Sequence, residues 1–188
     1  TSACTPSCLV FDTITLQNTA IRITNTRIDG ALRNGLFPVR FNSFVASSYS
    51  LWLFDNSYIG NSFAMHSHSP QIVQNSVFMI SGMTAVCDRF CLSFEGTLTI
   101  DTNSAYIIEK STASADGHDL FFVYGTVYVG TNSLLLAAGN YFITPRYAFS
   151  VYNSITGASS GIISYIDNSL LGLPWNVIIS SGTCYAPV

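Results

Sequence analysis

Charged side chains are scarce in this sequence. Only 9% of the 188 residues are charged, with seven Lys and Arg against ten Asp and Glu, which gives a net charge of -3. The cations are scattered and form no basic stripe that could neutralise a phosphate backbone, so we expect no nucleic-acid partner. No apolar run approaches the roughly 20 residues of a membrane-spanning helix, so we also expect no membrane span.

Helix signals are missing as well. No stretch of about 12 residues repeats apolar side chains at the three- and four-residue spacing of a helix face. Hydrophobic residues nevertheless make up 48% of the chain, and many of them are β-branched or aromatic, which favours strands. The sequence therefore predicts an all-β protein, and its length fits a single domain over residues 1–188.

A short pattern recurs along the chain. In "LWLFDNSYIGNSF", residues 51–63, an Asn-Ser pair separates two runs of large apolar residues, and seven other segments have a similar form. The central residue, which we call the pivot, is always Asn or Gly, and successive pivots are 14 to 29 residues apart. The eight pivots are Asn25, Asn42, Asn56, Asn75, Gly96, Gly125, Asn153 and Asn176.

The exchange of Asn with Gly indicates a backbone that needs the left-handed conformation with positive φ. Strand, corner and strand at this spacing predict a parallel β-helix in which the pivots stack as one ladder at equivalent corners. The apolar residues two positions before a pivot should form one buried column, namely Phe54, Val73, Phe94, Val123 and Val151. The aromatic residues just before a pivot should point outward, namely Phe41, Tyr124, Tyr152 and Trp175. A β-sandwich or a β-trefoil is the alternative fold.

The Asn corners resemble those of right-handed parallel β-helix proteins of the pectate-lyase-like type, over about residues 21–179. Serine-rich, charge-poor coils with "NS" and "GT" corners and closely spaced cysteines look most similar to very large surface proteins of trypanosomatid parasites, the dispersed gene family. The resemblance implies an extracellular solenoid. Pectin-degrading enzymes of this fold would require clustered aspartates, whereas the carboxylates here are spread along the chain.

The five cysteines form two Cys-x3-Cys pairs with one residue left over. They are Cys4, Cys8, Cys87, Cys91 and Cys184. A local disulfide within each pair would suit an extracellular compartment, and Cys184 would then be available to pair outside the segment. A zinc site of four thiolates and buried free thiols are the alternatives.

Two polar motifs contain residues that could bind a metal or transfer a proton. In "MHSHS", His66 and His68 would share one face of a strand and could begin a zinc or copper site, but no third ligand is evident. In "ADGHD", Asp116, His118 and Asp119 could bind a metal or move a proton, although Asp-Gly is above all a turn signal. An exposed strand and a solvated loop are the favoured interpretations, so we predict no catalytic residue, metal or cofactor.

These observations favour a non-catalytic structural or adhesive module of an extracellular surface or filament-forming protein. The alternatives are a carbohydrate-active β-helix enzyme, either a polysaccharide lyase or a glycosidase, and a sugar-binding β-domain. We expect the chain to be a segment of a longer repeat protein, since both ends are apolar and strand-like. Such ends would meet adjacent solenoid segments or further copies end to end, with carbohydrate or a host or matrix protein as a further partner.

Overall fold

All the regular structure that can be described in this protein is β-strand. The structure is a computed structural model that describes the backbone of residues 9–29, 39–60 and 65–179. Within these ranges there is no helix, and hence no helical segment that could cross a membrane. The strands of these ranges are β1 (Leu9–Gln17), β2 (Ala20–Thr24), β3 (Arg27–Asp29), β4 (Val39–Ser47), β5 (Leu51–Asp55), β6 (Tyr58–Gly60), β7 (Met65–His68), β8 (Gln71–Val73), β9 (Val77–Ser81), β10 (Thr84–Cys87), β11 (Leu92–Glu95), β12 (Leu98–Asp101), β13 (Ala105–Glu109), β14 (Thr112–Ala115), β15 (Phe121–Tyr124), β16 (Thr126–Val129), β17 (Leu134–Ala138), β18 (Tyr141–Gly157), β19 (Ile162–Ile166) and β20 (Ser169–Ile179).

The strands stack as a parallel β-solenoid of about five turns, as the sequence pattern predicts. Each coil passes through four strand segments, which we call faces 1 to 4. In one complete coil these faces are β11, β12, β13 and β14, in that order. Equivalent residues of successive coils are 26 to 31 positions apart, which is the true repeat length, except after a register shift in β18, where Ile155 pairs with Ile179.

Two sheets make up the four faces. Faces 1, 2 and 4 belong to one 14-stranded sheet because long strands continue through the corners between them. The longest of these strands, β18, has 17 residues and pairs successively with face 4, face 1 and face 2 of the preceding coil. Face 3 forms a separate six-stranded sheet.

The core is a continuous apolar column inside the coils. On face 3, Trp52, Phe78 and Tyr106 occupy equivalent positions of successive coils and their rings stack, with centroids 6.3 Å and 4.8 Å apart. Opposite them, Phe94 packs edge-on against Tyr106 at 5.9 Å. Aromatic rings therefore fill the width of the solenoid from two sides, and the burial of this surface provides most of its stabilisation.

The prediction of one apolar column is confirmed only in part. Phe94, Val123 and Val151 pair in register on face 1 and are buried. Phe54 is also buried, but it belongs to face 3. Val73 is half-buried at the end of face 2. The five residues thus occupy three faces of the solenoid.

The prediction of a single ladder of eight pivots is wrong. Asn25 and Asn56 lie at the corner between faces 3 and 4, and Asn75 lies at the corner between faces 2 and 3. The remaining pivots follow face 1 or lie on it: Asn42, Gly96, Gly125, Asn153 and Asn176. Several corners of the coil use the same residue types, so the pattern marks corners, and five of the seven steps between successive pivots are shorter than a coil.

Positive φ accounts for only half of the pivots. Asn25, Asn56, Asn75 and Gly96 have φ values between 44° and 80°. Gly125 does not have positive φ. Glycine is needed there because a Cβ would collide with the carbonyl oxygen of Gly96 in the preceding coil. Asn42 and Asn153 also lack positive φ.

A buried serine ladder holds the corner between faces 2 and 3. Ser50, Ser76, Ser104 and Ser133 stack in successive coils, and each is at most 2% exposed. The backbone N–H of each serine donates to the Oγ of the next, at 3.1 Å for Ser50 to Ser76 and for Ser76 to Ser104 and at 3.2 Å for Ser104 to Ser133. The N–H of Thr19 donates to Ser50 Oγ in the same way. The hydroxyls thus satisfy backbone donors that the corner removes from water.

Candidate functional site

The outward side of face 1 carries a group of potential metal ligands and a group of aromatic side chains. One residue from each coil lies at the end of this face, and we call these residues the outer row. The outer row consists of Asp12, Asn42, His68, Glu95, Tyr124 and Tyr152. Strand alternation places these side chains outward, because the preceding residues point into the core.

The second row lies two residues earlier in each strand and also points outward. It contains Arg40, His66, Ser93, Phe122 and Ser150, which pair in register from coil to coil. His66 and Ser150 are nevertheless buried, at 3% and 1% exposure. The second row is thus partly shielded from solvent, whereas the outer row is accessible to it.

Two histidines and a glutamate meet on this surface. His66 and His68 come from β7, with ring centroids 4.9 Å apart, and Glu95 comes from β11, in register with His68. Nδ1 of His68 is 3.0 Å from Oε2 of Glu95. One potential ligand atom from each side chain lies within 4.8 Å of the others, and no second group of this kind occurs in the described residues.

The electrostatics keep His66 neutral at pH 7. Burial, followed by the nearby charge of His68 and Arg40, lowers the pKa of His66 from 6.5 to about 4. A neutral imidazole keeps a lone pair and can therefore ligate a metal. Arg40, which pairs with His66 in the preceding coil, opposes any cation at the same place.

Four aromatic rings lie beside this polar cluster. Phe90 stacks on Phe122 with centroids 4.3 Å apart, and Phe122 contacts both Tyr124 and Tyr152 at 6.2 Å. The ring centroids of Tyr124 and Tyr152 are 5.2 Å apart, and both residues line an open cleft of about 290 Å³ together with Gly125 and Asn153. We call these four rings the aromatic cluster.

The outward aromatic prediction is confirmed for two residues. Tyr124 and Tyr152 are 56% and 62% exposed. It is wrong for Phe41, which is buried and packs against Trp52 at 5.1 Å. In that coil the pivot Asn42 itself occupies the outward position, so the preceding residue points into the core. The side chain of Trp175 lies outside the described residues.

The predicted short disulfide is confirmed for one of the two pairs. Cys87 and Cys91 are disulfide-bonded across the loop that joins face 4 to face 1. The loop carries Phe90, so the disulfide restrains one of the four rings of the aromatic cluster. Cys4, Cys8 and Cys184 lie outside the described residues.

The "ADGHD" residues anchor a loop between β14 and β15. Asp119 is buried, and its Oδ1 accepts the backbone N–H of Tyr147 at 3.2 Å. The carbonyl of His118 accepts the hydroxyl of Thr144 at 2.6 Å. Asp116 is exposed and belongs to no group of metal-ligating side chains within the described ranges. These contacts fit the structural interpretation of the motif.

Sequence reasoning placed His66 and His68 on one strand face but missed Glu95, Phe90 and Phe122. Glu95 is 27 residues beyond His68, which is one coil, whereas five of the seven steps between successive pivots are shorter than this. Alignment of the chain at the true repeat of 26 to 31 residues would have placed the two in one row.

Comparison of this chain with known protein families, with curated proteins and with solved structures finds no match in any of the three. What the site can do therefore follows from its own geometry.

Proposed function

We propose that this chain is a non-catalytic adhesive module of an extracellular surface or filament-forming protein and that it binds carbohydrate at face 1. The observation that carries this proposal is the pair of adjacent exposed tyrosines, Tyr124 and Tyr152, which line an open cleft. Large exposed aromatic groups are costly in water unless a ligand or partner covers them.

The chemistry of the cleft favours a neutral sugar. The C–H faces of a pyranose ring can pack on the tyrosine rings, while its hydroxyls can hydrogen-bond to the tyrosine hydroxyls and to the amide of Asn153. Asn153 is exposed, and its Nδ2 already donates to Thr126 Oγ1 at 3.2 Å, so its carbonyl oxygen is the atom that we expect to accept from a sugar hydroxyl. The low charge of the chain gives no preference for an ionised ligand.

Several of the carboxylates have structural partners, which favours binding over bond cleavage. Asp101 Oδ1 accepts the backbone N–H of Thr131 at 2.8 Å, and Glu109 Oε1 accepts the hydroxyl of Ser81 at 3.1 Å. Glycosidases instead use a pair of carboxyl groups that face each other across the substrate. Residues 157–161 have the Gly-x-Ser-x-Gly spacing of hydrolase elbows, but they form a turn between two strands, whereas the elbow precedes a helix.

The extracellular location is part of the same proposal. The disulfide between Cys87 and Cys91 supports it, because such bonds persist mainly in oxidising compartments. Kinship to right-handed pectate-lyase-like helices, and to the trypanosomatid dispersed gene family in particular, is proposed on the Asn corners and the short cysteine spacing alone.

Binding of neutral oligosaccharides tests the proposal. We would titrate cellohexaose, chitohexaose and a linear mannohexaose into the chain by isothermal calorimetry. Tyr152→Ala should weaken binding of the recognised sugar at least about tenfold, which corresponds to about 1.4 kcal/mol. The matched control is Tyr141→Ala, which removes an exposed tyrosine from face 4 and should leave binding unchanged. Equal losses in the two variants, or release of shorter sugars during incubation, would overturn the proposal.

We further propose that the solenoid meets neighbouring segments or further copies end to end. The last coil of any open solenoid presents unpaired backbone donors and acceptors, and an uncovered edge of this kind pairs with other strands. Sedimentation of the chain at increasing concentration should show growing linear assemblies. Reducing and non-reducing electrophoresis then separates an intermolecular disulfide at Cys184 from simple edge pairing. A monodisperse monomer at the highest concentration would contradict the proposal.

A further inference from the structure

The cluster of His66, His68 and Glu95 has the donor set of a zinc site. Two imidazoles and one carboxylate, with a fourth position left for water or another ligand, are a recurring arrangement for Zn²⁺. Nitrogen donors favour zinc and copper over calcium and magnesium, which prefer oxygen. The role is separate from sugar binding, since none of these three residues lines the cleft that Tyr124 and Tyr152 line.

The backbone holds these three residues in position. His66 and His68 are two residues apart on one strand, and Glu95 is the direct neighbour of His68 on the next strand. Parallel pairing fixes the distance between such strands, so the three Cβ atoms are set by the fold rather than by a mobile loop. A site built on strands needs little reorganisation to bind its metal.

Small side-chain rotations are enough to complete the geometry. Tetrahedral ligation with bonds of about 2.0–2.1 Å separates ligand atoms by roughly 3.3 Å. The candidate ligand atoms already lie within 4.8 Å of one another, and Nδ1 of His68 is 3.0 Å from Oε2 of Glu95. His68 and Glu95 are on the exposed outer row, with side chains 40% and 54% exposed, and can turn toward the buried His66.

We propose that His66, His68 and Glu95 bind one Zn²⁺ ion with an open coordination position toward solvent. The Glu95 carboxylate offsets part of the metal charge, and the metal replaces the existing contact between Glu95 and His68 with bonds to both. Arg40 weakens the site, because its positively charged side chain comes from the strand next to His66 and repels the metal ion.

Calorimetric titration of Zn²⁺ into the tag-free chain, with free thiols alkylated beforehand, is the primary test. Alkylation matters because Cys4, Cys8 and Cys184 could otherwise bind zinc as thiolates. One ion should bind per chain, and Ca²⁺ and Mg²⁺ at the same concentration should give no heat. Co²⁺ in place of Zn²⁺ should give the intense visible absorption of a four-coordinate ion with nitrogen ligands.

Variants separate a three-ligand site from a simple histidine pair. His68→Ala should weaken Zn²⁺ binding at least about 100-fold. Loss of a direct ligand should cost more than the roughly 10–100-fold that follows when a residue hydrogen-bonded to a ligand is lost. Glu95→Gln, an exposed and nearly isosteric change, should weaken it at least about tenfold if the carboxylate is a ligand. The matched control is His118→Ala, which removes the third histidine of the chain and should leave binding unchanged.

The Arg40→Gln variant gives a result that chance surface binding would not. Loss of this cation should tighten Zn²⁺ binding several-fold at low salt, and the gain should shrink as salt rises. The proposal is overturned if Glu95→Gln binds as tightly as the wild type, if His118→Ala weakens binding as much as His68→Ala, or if no stoichiometric binding occurs. Each measurement is made without sugar, so a failure here leaves the carbohydrate proposal intact, and the reverse also holds.

Discussion

The serine ladder between faces 2 and 3 and the outer row of face 1 are both stacks of one residue per coil, yet they differ in composition. In the ladder the side chain is serine in four successive coils. In the outer row it changes from amide to imidazole, carboxylate and phenol within five coils. Regular stacking of the backbone is therefore compatible with either a constant or a variable side chain.

The difference depends on whether the side chain has to hydrogen-bond to the backbone. Each ladder serine accepts a backbone N–H that is buried at the corner, and few other side chains are small enough and polar enough for this. In the outer row the backbone is already paired between strands, and the side chains meet solvent. The outer row is therefore the place where residues can be selected for binding.

The largest effect should come from the core directly beneath the outer row. Phe94→Ala should lower the free energy of unfolding by about 3–5 kcal/mol, because it removes a buried ring that packs on Tyr106 and Phe121. The neighbouring change Glu95→Ala should alter it by less than about 0.5 kcal/mol, as expected for an exposed residue. Chemical denaturation of both variants measures the contrast, and similar losses would mean that the outer row is structural.

The corner after the outer row should be the next most sensitive place. Gly125→Ala should cost about 2–3 kcal/mol, because the new Cβ would collide with the rigid backbone carbonyl of Gly96. Gly117→Ala is the control, since no atom lies within 4 Å of a Cβ there and only its φ of 90° opposes alanine, at about 1–2 kcal/mol. Thermal unfolding compares the two, and an equal cost would show that the coils can separate at this corner.

The serine ladder should tolerate truncation less than its small size suggests. Ser76→Ala should cost about 1–2 kcal/mol, because it leaves the buried N–H of Ser50 without its acceptor. The exposed Ser159→Ala should change stability by less than about 0.5 kcal/mol. Amide hydrogen exchange at Ser50 gives a local measure, and unchanged protection there would contradict the assigned role of the ladder.

The smallest effect should have the opposite sign. The hydroxyl of Tyr106 is buried and has no hydrogen-bond partner in the described structure, and burial raises the pKa of this group well above its usual value. Tyr106→Phe should therefore stabilise the protein by about 1 kcal/mol. Tyr152→Phe, at an exposed hydroxyl, should be neutral. A loss of stability in Tyr106→Phe would indicate a water molecule bonded to the hydroxyl.

Two of the three residues of the proposed zinc site could be found from the sequence. His66 and His68 lie on one face of a strand because side chains alternate with a period of two, which is a local rule. Glu95 joins them only because one coil contains 27 residues at that height of the solenoid, and this number depends on how the loop through Cys87 and Cys91 closes. Loop length sets the offset between coils, and nothing in the strands themselves specifies it.

The sequence by itself determined that the chain is all-β and that its corners use Asn and Gly, and it favoured a short disulfide between Cys87 and Cys91. These properties depend on backbone sterics and on residues a few positions apart, so local patterns reveal them. Only the tertiary structure decided which corner each pivot occupies, which way Phe41 points and which residues share the outer row. Those properties depend on the register between coils, which arises when 26 to 31 residues close into one turn and stack on the turn before.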